Sequence, residues 1–257
     1  MGIHQLFTDN QLRNFSYIIE ISDKIAFVID PWDKNQINAL LNQHALKLKA
    51  IINTHEHWDH TQGNEDLVAE YGCEVWAHAV GKGKIPCQTH FLHGNDCIEL
   101  DDETRLEVID APGHCQAHLC FVLHHKKQVE CIFTGDILFN AGVGNCHNGG
   151  DVHALYETVV HKIATLNPSV QIYPGHEYLE NNLKFTLKNE PNNKIAQNWL
   201  HKCQQNSNST LVSTLADEKQ INTFLRLDNK ELRKNLNCVN RSDKEVFIKL
   251  RALRDKW

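Results

Sequence analysis

The sequence predicts an α/β fold followed by a small all-helical C-terminal domain. Residues 1–177 alternate short apolar strand segments with amphipathic helices, which is the pattern of an α/β domain. Residues 178–257 contain only segments with helical character. A chain of 257 residues is long enough for one large domain with a small second one. We therefore expect a larger domain over 1–177 and a helical domain over 178–257.

The first elements follow from hydrophobic periodicity. YIIEI and IAFVID are predicted to be strands joined by the turn SDK. Ile37, Leu40 and Leu41 lie at i, i+3 and i+4 in NQINALLNQH, which predicts a short helix. LKAIIN is predicted to be a buried strand, NEDLVAEYG a helix that ends at Gly72, and EVWAHA another strand.

Later segments continue this alternation and then become helical. TRLEVID, HLCFVL, VECIFTG and VQIYP are predicted to be strands. DVHALYETVVHKIATL is predicted to be an amphipathic helix with one apolar face, formed by Leu155, Val159, Ile163 and Leu166. After residue 177 we expect four helical segments and no strands. The last begins with the capping-box pair Ser242 and Glu245, and its apolar stripe consists of Val246, Phe247, Leu250, Leu253 and Trp257.

Composition and charge narrow the class of protein. The hydrophobic content of 41% and charged content of 23% are ordinary for a globular protein. No apolar run reaches the ~18–20 residues of a membrane span, and no signal-peptide pattern opens the chain. Nine cysteines are odd in number and irregularly spaced, which favours reduced thiols. We expect a cytoplasmic protein without a membrane partner. The net charge of −6 also argues against a nucleic-acid partner.

The charge is unevenly distributed along the chain. Residues 178–257 carry 15 Lys and Arg against 9 Asp and Glu, whereas residues 1–177 carry 11 against 23. This division has two interpretations: the acidic part binds a cation and the basic part an anion, or the two parts attract each other. The charge pattern alone leaves both open.

The segment THEHWDH at residues 54–60 concentrates metal-ligand side chains. It follows the predicted strand LKAIIN, and loops at strand ends commonly present ligands. If the segment starts extended, His55 and His57 project to the same side. Asp59 and His60 follow after the chain turns and can face a second metal. Four potential ligands in six residues exceed the three protein ligands of a catalytic zinc site, which indicates two ions.

Three other strand ends repeat this arrangement. His114 follows a Pro-Gly turn, Asp136 follows the apolar strand ending in TG, and His176 follows another Pro-Gly turn. A buried carboxylate at Asp136 would be costly without a cation. The strand ends therefore predict one metal site built from distant parts of the sequence.

These motifs resemble the metallo-β-lactamase superfamily. T-H-x-H-x-D-H, PGH at 112–114, TGD at 134–136 and GH at 175–176 match it in order and spacing. GHEY, NNLKF and the C-terminal LRALRDKW are similar to its glyoxalase II branch, the hydroxyacylglutathione hydrolases. The resemblance covers nearly the whole chain. It implies a metallo-β-lactamase-type αββα sandwich, the catalytic domain, over 1–177 and a glutathione-binding helical domain over 178–257.

The resemblance also implies the ligand sets and the reaction. His55, His57 and His114 would hold one metal, Asp59, His60 and His176 the other, and Asp136 would bridge both. Two divalent ions are implied, zinc foremost, with iron or manganese as alternatives. A hydroxide formed between them would attack a thioester carbonyl, with Asp59 orienting it. The implied reaction converts S-D-lactoylglutathione to D-lactate and glutathione, the second step of methylglyoxal detoxification. A thiolate leaves without a dedicated general acid.

Substrate contacts are implied by the same comparison of motifs. Tyr178 matches a tyrosine that contacts the glutathione backbone, and Arg251 and Arg254 match a basic pair expected to bind its carboxylates. Asn145 and His147 are further candidates in GVGNCHNGG. The family usually has Lys or Arg at the first and an aromatic residue at the second. The missing cation is expected to weaken carboxylate binding by ~1–3 kcal/mol.

Two alternative activities stay open at this point. A persulfide dioxygenase-like oxidoreductase would use one iron with the same ligand types, although such chains lack basic C-terminal helices. A metallohydrolase for another thioester would keep the metal site and change the pocket. A non-enzymatic zinc or nucleic-acid module is disfavoured, because a closed zinc site needs four ligands rather than seven. We expect a monomer with a small-molecule substrate.

Overall fold

A computed structural model describes residues 1–205 and 211–257. Within these residues the chain forms two compact units, each built from separated segments. Unit 1 comprises residues 1–111, 116–135 and 175–177. Unit 2 comprises residues 112–115, 136–174 and 178–257.

Unit 1 contains a six-stranded mixed sheet, here sheet A. Its strands, in spatial order, are β1 (Gly2–Phe7), β2 (Phe15–Glu20), β3 (Ile25–Ile29), β4 (Lys47–Ile52), β5 (Glu74–His78) and β6 (His90–Leu92). The first three strands are antiparallel, and β3 to β6 run parallel. The crossovers contain α1 (Lys34–His44), α2 (Trp58–Thr61) and α3 (Asn64–Tyr71). Gly72 ends α3 in the left-handed conformation, as its sequence position predicted.

A second set of strands in unit 1 forms an antiparallel meander. It consists of β7 (Cys97–Glu99), β8 (Thr104–Asp110), β9 (Leu119–His125) and β10 (Gln128–Gly135). The rings of Tyr17 on β2 and Phe133 on β10 lie 5.2 Å apart, so the meander packs on one face of sheet A. Ile18 points to the opposite face and belongs to a buried cluster with Ile37 and Leu41 of α1. Unit 1 therefore has a helix layer, sheet A and the meander in succession.

Unit 2 is mostly helical. It contains the hairpin β11 (Leu138–Phe139) and β12 (Gly142–Val143), then α4 (Val152–Tyr156), which continues as a π-helix over Glu157–Ile163. β13 (Gln171–Pro174) pairs with β14 (Ser213–Thr214). The remaining helices are α5 (Leu179–Asn189), α6 (Lys194–Gln205), α7 (Leu215–Ile221), α8 (Lys230–Asn235) and α9 (Asp243–Arg254).

Most predicted elements are confirmed, and several details differ. The short elements β1, β6, β7, β11, β12, α2 and α7 were not predicted, so the described residues after 177 form five α-helices where four were expected. The absence of strands after residue 177 was wrong, because β14 adds a two-residue strand to β13. The helix predicted to include Leu166 ends at Ile163 in π-helical geometry, with the Ala164 amide bonded to the Val159 carbonyl.

A further difference concerns α9. Its capping box is present, and Val246, Phe247 and Leu250 are buried. The predicted apolar stripe was wrong at its end, because Leu253 and Trp257 are exposed. The helix ends at Arg254, so Trp257 lies beyond the last turn.

Candidate metal centre

The segment after β4 brings two histidine rings together in unit 1. β4 ends at Ile52, and His57 has the extended backbone of a helix N-cap before α2. The Nε2 atom of His55 lies 3.1 Å from Nδ1 of His57. The two side chains thus project to the same side.

A neighbouring hydroxyl sets the tautomer of His55. Thr54 Oγ1 lies 2.6 Å from Asp30 Oδ2, and because a carboxylate only accepts, the hydroxyl donates its one proton there. The same oxygen lies 2.9 Å from His55 Nδ1 and must accept from it. The neutral ring of His55 therefore keeps a lone pair on Nε2, the atom that faces His57.

His60 and His176 also present Nε2 atoms to each other. Nδ1 of His60 lies 3.0 Å from Asp30 Oδ2, and Nδ1 of His176 lies 2.8 Å from the carbonyl oxygen of Leu12. Both partner oxygens only accept hydrogen bonds, so each Nδ1 carries the proton of the neutral ring. The two Nε2 atoms are 3.2 Å apart. In neutral rings, neither nitrogen can donate to the other.

Asp59 completes this group. Its Oδ2 lies 3.4 Å from Nε2 of both His60 and His176, and the ligand atoms of the three residues lie within 4.8 Å of one another. All three residues are buried. Three acceptor atoms facing one another out of water repel unless a cation lies among them. The donor set therefore fits a divalent metal ion.

Asp30 was missed by the sequence reasoning. It is buried, accepts from the Thr54 amide at 2.7 Å as well as from its hydroxyl, and fixes the ring of His60. A partner that accepts from the ring nitrogen facing away from the metal fixes the tautomer and orientation of a ligating histidine. A signal was present, because Asp30 follows an apolar strand just as Asp136 does.

The segment before β2 contacts two of the predicted ligands. Asn14 Nδ2 donates to Asp59 Oδ2 at 3.1 Å, and the Asn14 backbone forms a β-bridge with His176. The Arg13 guanidinium forms an ion pair with Glu177. These contacts join residues more than forty positions apart, and no local sequence pattern indicated them.

Unit 2 contains the other two predicted ligands. Nε2 of His114 lies 3.5 Å from Oδ2 of Asp136, and both residues are buried. Nδ1 of His114 lies 2.7 Å from the carbonyl oxygen of Asn145, so the neutral ring again keeps its lone pair on Nε2. His114 and Asp136 thus form a second acceptor pair suited to a cation.

The segment 143–147 contacts α9 through Arg251. The guanidinium donates to the carbonyl oxygens of Val143 at 2.8 Å and Gly144 at 3.0 Å, and forms an ion pair with Asp255 at 2.9 Å. Arg251 is only 6% exposed. Burial lowers the pKa of its guanidinium, and the Asp255 carboxylate opposes that effect. His147 is exposed and lies 3.2 Å from the same carboxylate.

The remaining predicted substrate contacts also lie in unit 2. Arg254 is half-buried and donates to Oδ1 of Asn182 at 3.2 Å. Tyr178 packs edge-on against Phe139, with ring centroids 5.3 Å apart. The Asn145 side chain accepts from the His147 amide at 3.1 Å. Their roles as substrate contacts stay predictions.

Comparison with known families shows which family the chain belongs to. Residues 10–86 match the metallo-beta-lactamase superfamily, and residues 177–257 match the family described as hydroxyacylglutathione hydrolase C-terminus. A hydroxyacylglutathione hydrolase of Nitrosococcus oceani is 44% identical over 265 residues that cover all of both chains. The chain belongs to the hydroxyacylglutathione hydrolase family. The Polaromonas sp. member is 38% identical, again over all of both chains, and a cytoplasmic Arabidopsis thaliana member is 32% identical over 95% of each.

Solved structures confirm the fold that this family membership implies. ETHE1 from Myxococcus xanthus superposes with a TM-score of 0.68 at 20% identity, covering 99% of this chain and 98% of that one. The di-iron-bound form of TTHA1623 gives a TM-score of 0.62 at 23% identity, covering 86% and 100%. The predicted metallo-β-lactamase-type αββα sandwich with a C-terminal helical region is therefore confirmed. No helix among residues 1–205 and 211–257 is long and apolar enough to cross a bilayer.

Proposed function

We propose that this protein hydrolyses S-D-lactoylglutathione to D-lactate and glutathione, the second step of methylglyoxal detoxification. The observation that carries the proposal is the end-to-end similarity to relatives named hydroxyacylglutathione hydrolases. The match of residues 177–257 to that family's C-terminus favours a glutathione thioester over the persulfide dioxygenase alternative. The basic balance of the same residues suits an anionic substrate.

The proposed site would hold two divalent metal ions. His55, His57 and His114 would hold the first, Asp59, His60 and His176 would hold the second, and Asp136 would be shared by both. The fold and the converging histidine and aspartate acceptors support divalent metal binding. Zinc is the proposed occupant, and iron and manganese are compatible with the same donors. Bound ions would polarise the thioester carbonyl and lower the pKa of an attacking water.

The chain's own residues would orient the reaction around those ions. Asp30 holds the Nδ1 proton of His60 and the hydroxyl of Thr54, which keeps two imidazole lone pairs directed into the site. Asn14 donates to Asp59 and so limits the positions of the carboxylate proposed to orient the nucleophile. The departing thiolate is a weak base compared with an amine and needs no separate proton donor.

Substrate recognition is proposed to use residues of unit 2. Tyr178, Arg251 and Arg254 would contact glutathione, with His147 and Asn145 as the further candidates. Asn145 supplies no positive charge, and Asp255 lies beside both Arg251 and His147. We therefore expect weaker carboxylate binding here than with a cation at position 145.

The remaining parts of the proposal concern organisation and location. The catalytic domain spans 1–177 and the glutathione-binding domain 178–257, a division supported by the start of the C-terminal family match at residue 177. We also propose that the protein acts as a monomer in the cytoplasm. The odd number and irregular spacing of its nine cysteines favour reduced thiols, which suit that reducing compartment.

The test is hydrolysis of S-D-lactoylglutathione by purified, metal-replete protein, followed by loss of thioester absorbance. His60→Ala is expected to lose turnover and about one metal equivalent per chain, because it removes a buried ligand of the proposed second ion. His93→Ala is the matched control, since His93 is exposed and lies outside the proposed site. Negligible turnover by wild-type protein shown to contain two metal ions per chain would refute the proposed substrate.

A further inference from the structure

A further group of metal-ligand side chains lies in unit 1, outside the two proposed ligand sets. It consists of His4 on β1, Glu20 at the end of β2 and His44 at the end of α1. One ligand atom from each of these residues lies within 4.8 Å of the other two, the same limit that encloses the second proposed ligand set. The sequence motifs gave no sign of this group, because its members are scattered and β1 was not predicted.

We propose that His4, Glu20 and His44 bind one zinc ion, and that this ion ties the edge strand β1 to β2 and α1. Two imidazoles and one carboxylate are a common zinc donor set, in which water takes the remaining position. Magnesium and calcium prefer oxygen ligands alone, so the two histidines favour zinc over them. The ion would be additional to those of the proposed active site.

Three elements of the fold bring the side chains together. His4 lies opposite Ile18 in the antiparallel pair of β1 and β2, and Glu20 is two residues further along β2, so its side chain points to the same face. Ile18 belongs to the buried cluster that α1 covers. The last residue of α1, His44, reaches this face, where its ring centroid lies 4.7 Å from that of His4.

The distances within the group fit one small cation. Nε2 of His4 lies 3.1 Å from Oε2 of Glu20. Two ligand atoms bound to a tetrahedral zinc ion are separated by roughly 3.3 Å, since each lies ~2.0–2.1 Å from the metal. The ligand atom of His44 lies within 4.8 Å of both. Rotation of the His44 side chain about its own torsions would complete the set.

The three side chains are partly buried, which orders them while leaving a path for an ion. The side chains of His4 and Glu20 keep 23% and 20% of their surface exposed. Gly2 lies opposite Glu20 in the pair of β1 and β2. A Cβ atom added at Gly2 would lie 3.7 Å from Nε2 of His4 and 3.8 Å from Oε2 of Glu20, so no side chain at position 2 covers the two ligand atoms.

A proton and a lysine compete with the proposed ion. A protonated Nε2 of His4 donates to Glu20, and this hydrogen bond, together with one from Lys24, lowers the pKa of the carboxyl group. Zinc would displace the Nε2 proton to Nδ1 or to solvent. Lys24 Nζ lies 3.1 Å from Oε1, the other carboxylate oxygen, so Oε2 can bind the ion while this contact is kept.

The first experiment counts the zinc bound by the full chain after dialysis at a fixed free zinc concentration. Wild-type protein should retain one more equivalent per chain than His44→Ala, and His4→Ala should lose the same equivalent. His93→Ala is the matched control and should match wild type. His93 lies 3.9 Å from the Asp96 carboxylate, and this pair has no third ligand close by within residues 1–205 and 211–257.

Hydrogen exchange tests whether the ion ties β1 to its neighbours. Raising free zinc over the range that fills the additional equivalent should slow exchange of the amides of Gly2–Phe7 in wild type. Opening the edge strand would then require release of a ligand from the ion. The same rise in zinc should leave exchange unchanged in His44→Ala, which keeps every residue of the proposed active site.

A third variant changes the affinity without removing a ligand. Lys24→Met removes a positive charge beside Glu20 and should tighten binding of the additional zinc ion by up to about fivefold, the size of an exposed charge interaction. An unchanged affinity would overturn the proposal, because a cation beside a ligand carboxylate must weaken the binding of a second cation. This variant also serves if His44→Ala does not fold.

The zinc count gives the plainest refutation. Equal zinc contents of wild type and His44→Ala would overturn the proposal and leave His4 and Glu20 as a simple hydrogen-bonded pair. Equal slowing of exchange in the two proteins would overturn the tie between β1 and α1. Both comparisons are differences between variants and need no substrate, so they hold whether or not the protein hydrolyses S-D-lactoylglutathione.

Discussion

Glu218 is expected to make the stability of this protein depend on pH between about 4.5 and 7. Its side chain is fully buried in unit 2, where it accepts from Ser213 Oγ at 2.6 Å, the Ala141 amide at 2.8 Å and Asn222 Nδ2 at 2.9 Å. Burial raises the pKa of Glu218 from 4.5 to about 7, although these hydrogen bonds oppose the shift. The neighbouring Asp217 carboxylate adds to the increase.

The sign and size of the effect follow from proton linkage. Because the pKa is higher in the folded state, the folded protein retains a proton that the unfolded chain has lost between these pH values. The resulting stabilisation is complete below about pH 4.5 and is lost as the pH rises through about 7. At 1.36 kcal/mol per pKa unit, the shift corresponds to roughly 3 kcal/mol. That is a large part of the ~5–15 kcal/mol that separates folded from unfolded proteins.

Glu218→Gln tests this expectation because glutamine has a similar shape and does not titrate. We would measure the free energy of unfolding by urea for both proteins at pH 5, 6, 7 and 8, using tryptophan fluorescence. Other titrating groups are common to both proteins, so the difference between the two curves isolates Glu218. Wild type should lose about 3 kcal/mol relative to the variant between pH 5 and 8.

Parallel curves for the two proteins would refute the reasoning. They would mean that the carboxylate is ionised throughout this pH range, because its three hydrogen bonds lower its pKa by more than burial raises it. A change in the opposite direction would mean that the pKa of Glu218 is lowered in the folded state. Equal urea dependence of the two proteins at each pH is the control for a common unfolding transition.

Two further predictions concern residues that position the site. Asp30→Asn should weaken zinc binding about 10–100-fold in a chelator competition. An amide has one acceptor oxygen, so it cannot accept from the Thr54 amide on one side and from the Thr54 hydroxyl and His60 on the other, as the carboxylate does. Exposed Asp102→Asn is the control, and equal affinities would contradict the role of Asp30. Gly144→Ala should lower the free energy of unfolding by about 1–3 kcal/mol, because its Cβ would overlap the Asp136 carbonyl oxygen. Gly2→Ala is the control and should change this free energy little, since the nearest atom to its added Cβ is 3.7 Å away. Equal thermal stabilities of the two variants would show that the backbone at Gly144 can shift to accommodate the Cβ.

The elements that sequence predicted best are those with strong local patterns. Short apolar runs identified β2, β3 and β4, and Gly72 marked the end of α3. The two-residue strand β14 could not be predicted from local sequence, because it depends on pairing with β13, about forty residues earlier in the chain. The π-helical geometry after Tyr156 likewise leaves the apolar spacing of Leu155, Val159 and Ile163 unchanged. Periodicity predicted the buried face there but could not predict the hydrogen-bond pattern.

The candidate ligands could be proposed from sequence because each follows a strand and has a distinctive side chain. The orientation of their side chains could not be predicted from sequence. The partner that fixes His60 lies thirty residues earlier, and the carbonyl that fixes His176 belongs to Leu12. A backbone carbonyl has no residue-specific signal at all. Arg251 shows the same limit, since its burial and its carbonyl partners arise from the packing of α9.

The substitution at position 145 illustrates why metal binding and substrate binding can vary separately in this chain. Asn145 contacts His114 through its backbone carbonyl, which any residue would provide. The side chain, which bonds the amide of His147, is where the family's usual positive charge would lie. Replacing that charge by an amide therefore leaves the orientation of His114 intact while removing a potential contact for a substrate carboxylate. We therefore expect the sequence departures in residues 142–150 to lower affinity for the thioester and to leave the orientation of His114 unchanged.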